Sequence, residues 1–261
     1  MKRQAANYKE LAALAKETAQ LLRTLRGRGV ETLPGEPVEE APPVPAARKG
    51  AEPRVEAPPT DLGKEGLLEH YRKQALGCQR CGLWNGRRNV VFGEGSSRAR
   101  VMFIGEGPGA QEDEQGRPFV GRAGQLLTRM LAAAGIDRKE VYITNVVKCR
   151  PPSNRDPSVE ENAACRPYLN HQIELIAPQV IVCLGRVAAT AMLPDTGALG
   201  TARGTVHKLG TTDLIAMYHP AFLLRTPSRK GQSWHDMQVL VHRLIAHGIL
   251  PRLPEPWWTP T

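Results

Sequence analysis

Four of the five cysteines carry the first chemical signal in this sequence. Cys78-Gln79-Arg80-Cys81 is a C-x2-C pair in a polar loop, Cys149 lies between Lys148 and Arg150-Pro151-Pro152, and Cys165 follows 16 residues later. Two adjacent thiolates plus two distant ones enclose a tetrahedral metal site, and by ligand type they suit Zn²⁺ and an iron–sulfur cluster equally. Scattered core thiols are the competing reading. It is weakened because three of the four sit in polar, basic loops. Cys183, inside the apolar run QVIVCL, reads instead as a small buried hydrophobe. The basic start Met1-Lys2-Arg3 is followed by no apolar run, and no stretch approaches the roughly 18 apolar residues of a membrane span. The chain is therefore expected in the cytoplasm, where disulfides are rare and the cysteines need another purpose.

A second group of residues stands out by position. Arg100–Gly105 (RVMFIG), Val141–Val146 (VYITNV), Gln179–Leu184 (QVIVCL) and Leu214–Tyr218 (LIAMY) are short Val/Ile-rich runs of the kind that form parallel strands buried on both faces. Helical patterns separate them at Gly121–Ala134, Val159–Ile176 and Arg186–Met192, and a last one covers Ser233–His247. This alternation predicts an α/β fold, a three-layer α/β/α sandwich around a central four-stranded parallel sheet. Ligands of such sheets bind outside the carboxyl ends of the strands. Glu106, Asn145, Gly185 and His219 all fall at or directly after those ends, so they are expected along one edge.

The remaining segments set the frame. Residues 4–28 read as an amphipathic helix with Leu11, Leu14, Leu21 and Leu25 on one stripe, and residues 34–59 hold 8 of the 22 prolines. The expected organisation is a helical and Pro-rich N-terminal extension over 1–61, a domain over 62–250 and a tail over 251–261. The extension is expected to be partly disordered, and could dock a partner protein. The net charge is +9. Residues 1–65 hold 11 Lys/Arg against 10 Asp/Glu, which leaves 24 against 16, a net of +8, for the rest. A basic globular part suits a polyanion such as nucleic acid.

Three stretches make the pattern recognisable: Gly105–Leu127 (GEGPGAQEDEQGRPFVGRAGQLL), Thr144–Arg155 (TNVVKCRPPSNR) and His219–Arg225 (HPAFLLR). Together they closely resemble the motifs of the family 4 uracil-DNA glycosylases, in the family's order, over about residues 66–250. The resemblance implies hydrolysis of the N-glycosidic bond of deoxyuridine in single- or double-stranded DNA, by a monomer. It also implies that Cys78, Cys81, Cys149 and Cys165 hold a structural [4Fe–4S] cluster, with zinc as the alternative.

The residues make chemical sense in those roles. A base must be flipped out of the duplex before its glycosidic bond can be attacked. Phe119 offers a stacking face. Asn145 offers an amide to uracil O4 and N3–H, which cytosine cannot match. His219 offers a hydrogen bond to O2 of the leaving uracil, where charge builds. Gly105 and Gly107 allow close approach of a ligand. Better-known uracil glycosylases carry Gly-Gln-Asp-Pro-Tyr here, with the Asp on the attacking water. This chain has Gly107 and Gly109 at the Asp and Tyr positions, as family 4 does. Glu106 is then the candidate for orienting water or the flipped nucleotide, with Glu112 and Asn154 as weaker candidates. Glu112 is also a candidate for crowding the thymine methyl. Leu223 and Leu224 are candidates for the wedge that fills the vacated stack, and Arg225, Arg229, Lys230, Arg150 and Arg155 for phosphate contacts. Two other readings stand beside this one. The first is a metal-stabilised DNA-binding module without catalysis. The second is a protein that captures uracil-DNA covalently, disfavoured because no basic insertion lies between Arg117 and Gly124.

Overall fold

The computed structural model describes residues 62–193 and 197–251. The expected N-terminal arm, and all of the expected tail but its first residue, lie outside the described residues. The chain divides into two units, Met1–Gly50 and Ala51–Thr261, and every described residue belongs to the second.

Four parallel strands form the centre of the sheet: β2 (Val101–Gly105), β3 (Tyr142–Asn145), β4 (Val180–Leu184) and β6 (Thr212–Met217). Two short antiparallel strands flank them, β1 (Glu94–Gly95) and β5 (Val206–Leu209), in the order β1-β3-β2-β4-β6-β5. The expected four-stranded sheet is thus the core of a mixed six-stranded one. The two added strands lack the apolar signature for a physical reason. As edges they are largely exposed, and β5 reads Val-His-Lys-Leu. Its link to β6 is the two-residue Gly210-Thr211 hairpin, with Gly210 at φ 58° supplying the left-handed first position.

Each central strand buries both faces, which is why its sequence is continuous rather than alternating. Val101, Phe103, Ile143, Val182 and Ile215 face one way, against α3 (Arg122–Ala133) and α8 (Lys230–Ala246). Met102, Ile104, Ile181, Cys183 and Leu214 face the other, against α4 (Val159–Ile176) and α5 (Arg186–Met192). Cys183 is fully buried there, as its apolar run implies. The α4 start is fixed by a capping box, in which Ser158 Oγ accepts from the Glu161 N–H and the Glu161 carboxylate accepts from the Ser158 N–H.

Four further α-helices belong to the domain: α1 (Lys64–Leu76) and the short α2 (Ala110–Gln115), α6 (Leu199–Ala202) and α7 (Pro220–Arg225). Helix α1 lies against α4, and a third apolar cluster beside it gathers Tyr71, Leu83, Phe92, Val147, Tyr168 and the cysteines. No helix among the described residues is long and apolar enough to cross a membrane.

Candidate active site

Register alone carries the key residues to one edge. Gly105 of β2 pairs with Asn145 of β3, and Leu184 of β4 with Met217 of β6. The residues after each strand therefore emerge side by side. Between them opens a cavity of about 340 Å³ lined by Glu106, Gly107, Glu112, Phe119, Asn145, Asn154, Asp156, His219 and Arg225, among others. That volume sits at the lower end of the roughly 300–1,000 Å³ of small-molecule sites, a size for one flipped base.

Asn145 is 1% exposed, and its Oδ1 finds no donor among the described residues. A buried carbonyl left open in this way is costly without a ligand to satisfy it. Its backbone is held from behind. The buried Lys148 Nζ donates to Asn145 O at 2.7 Å, to Thr144 Oγ1 at 2.6 Å and to Gln172 Oε1 at 2.7 Å.

Phe119 adopts φ 52°, a left-handed backbone unusual for an aromatic residue. Two features hold it there. Glu112 Oε1 accepts the N–H groups of Val120 at 2.9 Å and Gly121 at 2.8 Å. Gly124 lies so close that any Cβ would collide with the Phe119 carbonyl. Glu112 therefore clamps the loop that presents the aromatic ring, while still lining the cavity. Gly105 is needed for the same ring, because a Cβ there would stand 2.6 Å from Phe119 Cζ and also meet Asn145 Oδ1.

His219 is the N-cap of α7, and its Nδ1 accepts the Ala221 N–H at 3.1 Å. Burial, with Arg225 nearby, lowers its pKa to about 4. The ring is neutral at pH 7, and with Nδ1 accepting, its hydrogen is on Nε2. Gly185, at φ 88°, leaves room for it; a Cβ there would stand 2.9 Å from His219 Cβ.

Glu106 is half-buried. Burial first, then the charge of Asp156, raises its pKa to about 7, against the opposing pull of Arg186 and Arg225. Asp156 itself forms an ion pair with Arg186.

Of the other sequence candidates, Asn154 is exposed on the rim and accepts from Arg150 Nε at 2.9 Å. Arg155 is engaged by Glu161 at 2.6 Å. Leu223 is 1% exposed and packs inward, whereas Leu224 is part-exposed at the surface. Arg225, Arg229 and Lys230 are exposed beyond it.

The four cysteines line one separate cavity with Arg87, Lys148 and Tyr168. Arg87 Nη1 donates to Cys149 Sγ and the Lys148 N–H to Cys165 Sγ, both at 3.3 Å. Burial pushes Cys165 up to about 12 and raises Cys149 and Cys81. Among the described residues, no three His, Cys, Asp or Glu side chains gather closely enough to hold a single metal ion.

Sequence reasoning missed Asp156 and Arg186, whose roles exist only once three strand ends meet. It also missed the buried Lys148–Gln172 pair; both residues are polar and look like surface.

The model of the uracil DNA glycosylase superfamily matches residues 92–238. A type-4 uracil-DNA glycosylase from Thermotoga maritima is 47% identical over 169 residues, which are 64% of this chain and 88% of the relative. One from Archaeoglobus fulgidus is 42% identical over 179 residues, 66% of this chain and 90% of the relative. A type-5 uracil-DNA glycosylase from Pyrobaculum aerophilum is 33% identical over 171 residues, 59% and 75% of the two chains.

Proposed function

The chain belongs to the uracil DNA glycosylase superfamily and groups with its type-4 members, and from that premise we propose that it hydrolyses the N-glycosidic bond of deoxyuridine in DNA, leaving an abasic site for repair. The carrying observation is the convergence of Phe119, Asn145 and His219 on one base-sized cavity.

The flipped uracil stacks on Phe119, and the Asn145 amide reads O4 and N3–H. As the C1′–N1 bond lengthens, its electron pair moves onto uracil. The neutral His219 Nε2–H donates a hydrogen bond to O2, where that charge collects. The sugar becomes oxocarbenium-like. Water then bonds to C1′, and its proton passes to the Glu106 carboxylate. With Gly107 where a water-activating Asp stands in other branches, the burden falls on leaving-group stabilisation.

For the metal, the donor set is the support. Four thiols share one cavity, two of them already accepting hydrogen bonds from N–H donors of basic residues. Cys78, Cys81, Cys149 and Cys165 would hold a [4Fe–4S] cluster, with zinc the lesser alternative. The cluster would cross-link α1, the Lys148–Arg150 loop and α4, and supplies no group to the glycosidic chemistry.

Leu224 is the wedge under this reading, since Leu223 is spent on packing. Arg225, Arg229 and Lys230 would follow the phosphates. The enzyme would act as a monomer in the cytoplasm.

An excision assay on a uracil-containing oligonucleotide tests the proposal. Strand cleavage after hot alkali is the expected result. Intact strands would remove the enzyme reading and favour the DNA-binding module, and a stable protein–DNA adduct would favour covalent capture. A visible absorption spectrum of the purified protein tests the cluster, whose absence together with bound zinc would assign the thiols to zinc.

A further inference from the structure

Glu106 and Asp156 come from different parts of the chain. Glu106 directly follows β2; Asp156 lies in the loop that leads from β3, past the turn Pro152–Asn154, to α4. Both line the cavity, where the charge of Asp156 bears on the Glu106 carboxyl. Two carboxylates facing one cavity repel, which favours a proton on Glu106.

Asp156 has a second partner. Its carboxylate pairs with Arg186, the first residue of α5 beyond the β4 end, and the two side chains are 56% and 64% exposed on the rim. The loop backbone is fixed as well, since Arg155 Nη1 donates to the Asp156 carbonyl at 2.9 Å while Glu161 holds the rest of that guanidinium. Glu106, Asp156 and Arg186 thus come from beyond three strand ends, with Asp156 facing the cavity and paired with Arg186 beside it. The other charged or titratable groups lining the cavity with Glu106 are Arg155 in the Asp156 loop, Arg225 on α7, neutral His219 at the start of α7, and Glu112 on α2.

We infer that Asp156 is a further positioning residue of the glycosylase site: it orients the Glu106 carboxyl and, together with Arg186, sets the pH range in which that carboxyl faces the sugar as an anion. The inference rests on the proposed glycosylase reading and on Glu106 as the group that receives the water's proton. Protonated, Glu106 has no charge to offer the sugar. Deprotonated, it accepts from water and stabilises the cationic sugar.

The sign follows from the charges. Asp156→Asn removes a like charge and frees Arg186, both of which favour ionised Glu106. Arg186→Gln removes a cation and disfavours it. The experiment follows the carbon-13 signal of the Glu106 carboxyl against pH in the full chain, beside single-turnover excision of uracil over the same range. In Asp156→Asn, the Glu106 titration and the acid limb of excision should both move down by about one pH unit, the low end of the roughly 1–3 units a neighbouring charge produces. In Arg186→Gln both should move up. An Asp156→Asn chain with an unmoved titration overturns the inference. So does one whose titration moves while its pH–rate profile drops uniformly, the mark of a merely structural loss; either result leaves the glycosylase reading standing. A wild-type chain that excises no uracil fails that reading instead, whatever Glu106 does in the titration.

Discussion

The rings of Phe119 and His219 stand 5.6 Å apart, tilted by 32°. One ring is held by a left-handed backbone bend, the other by a hydrogen bond from the first turn of α7. The ring proposed to stack on the base and the proposed leaving-group donor therefore meet at the sheet edge, each fixed by its own backbone rather than by the other.

His219→Ala should slow single-turnover excision by about 10²–10³, the roughly 2.7–4 kcal/mol seen when one such donor is removed. Binding of uracil-containing DNA should change far less. A wild-type single-turnover rate would take His219 out of the mechanism.

The same histidine makes a pH prediction. Its folded pKa of about 4 lies below the unfolded value of about 6.5. Between those values the unfolded chain binds the extra proton. Its contribution is therefore fully present above about pH 6.5 and is lost as pH falls toward 4. Denaturant unfolding of wild type and His219→Gln from pH 7 to 4 should show wild type losing more stability. Parallel curves would refute a buried neutral imidazole.

Glu112→Ala should lower both stability and excision. It strands the N–H groups of Val120 and Gly121, at about 1–3 kcal/mol where such donors stay buried, and releases the bend that presents Phe119. Glu112→Gln keeps an acceptor and should recover most of the loss. If Glu112→Ala instead gains thymine excision at unchanged stability, the carboxylate excludes the thymine methyl and does not clamp the loop.

Gly105→Ala tests how closely the pocket is built. The added methyl would meet both the Phe119 ring and Asn145 Oδ1, so excision should fall at least as far as in Phe119→Ala or Asn145→Ala alone. The fold should survive, since only the end of β2 is touched. A near-wild-type rate would show that the base sits elsewhere.

Much of the fold and the site is legible in the sequence. The central strands announce themselves because burial on both faces leaves few polar positions, and their ends then mark Glu106, Asn145 and His219. What stayed hidden has a common physical cause. The edge strands β1 and β5 and the short helices α2 and α7 bury too little to leave a periodic signal. Asp156 and Arg186 are exposed charges whose meaning depends on a partner distant in sequence. Lys148 reads as one more basic residue beside Cys149, yet it is among the most buried side chains in the domain.

That lysine connects the cysteines to base reading. Its N–H donates to Cys165 Sγ, while its Nζ holds the carbonyl of Asn145. A group bound by the thiols would thus support the proposed amide reader through a single residue, without touching the reaction. Cys165→Ser should lower the melting temperature and weaken DNA binding before it affects chemistry, so that excision at saturating protein falls less than affinity does. Lys148→Met should reproduce the loss at Asn145 with the thiols intact, leaving Thr144, Gln172 and the Asn145 carbonyl short of a donor at about 1–3 kcal/mol for each buried group left unsatisfied. Thermal unfolding, DNA affinity and single-turnover rate measured on both variants separate the cases. A Cys165→Ser protein that folds and binds DNA as wild type does, yet excises nothing, would place the cysteines on the reaction path after all.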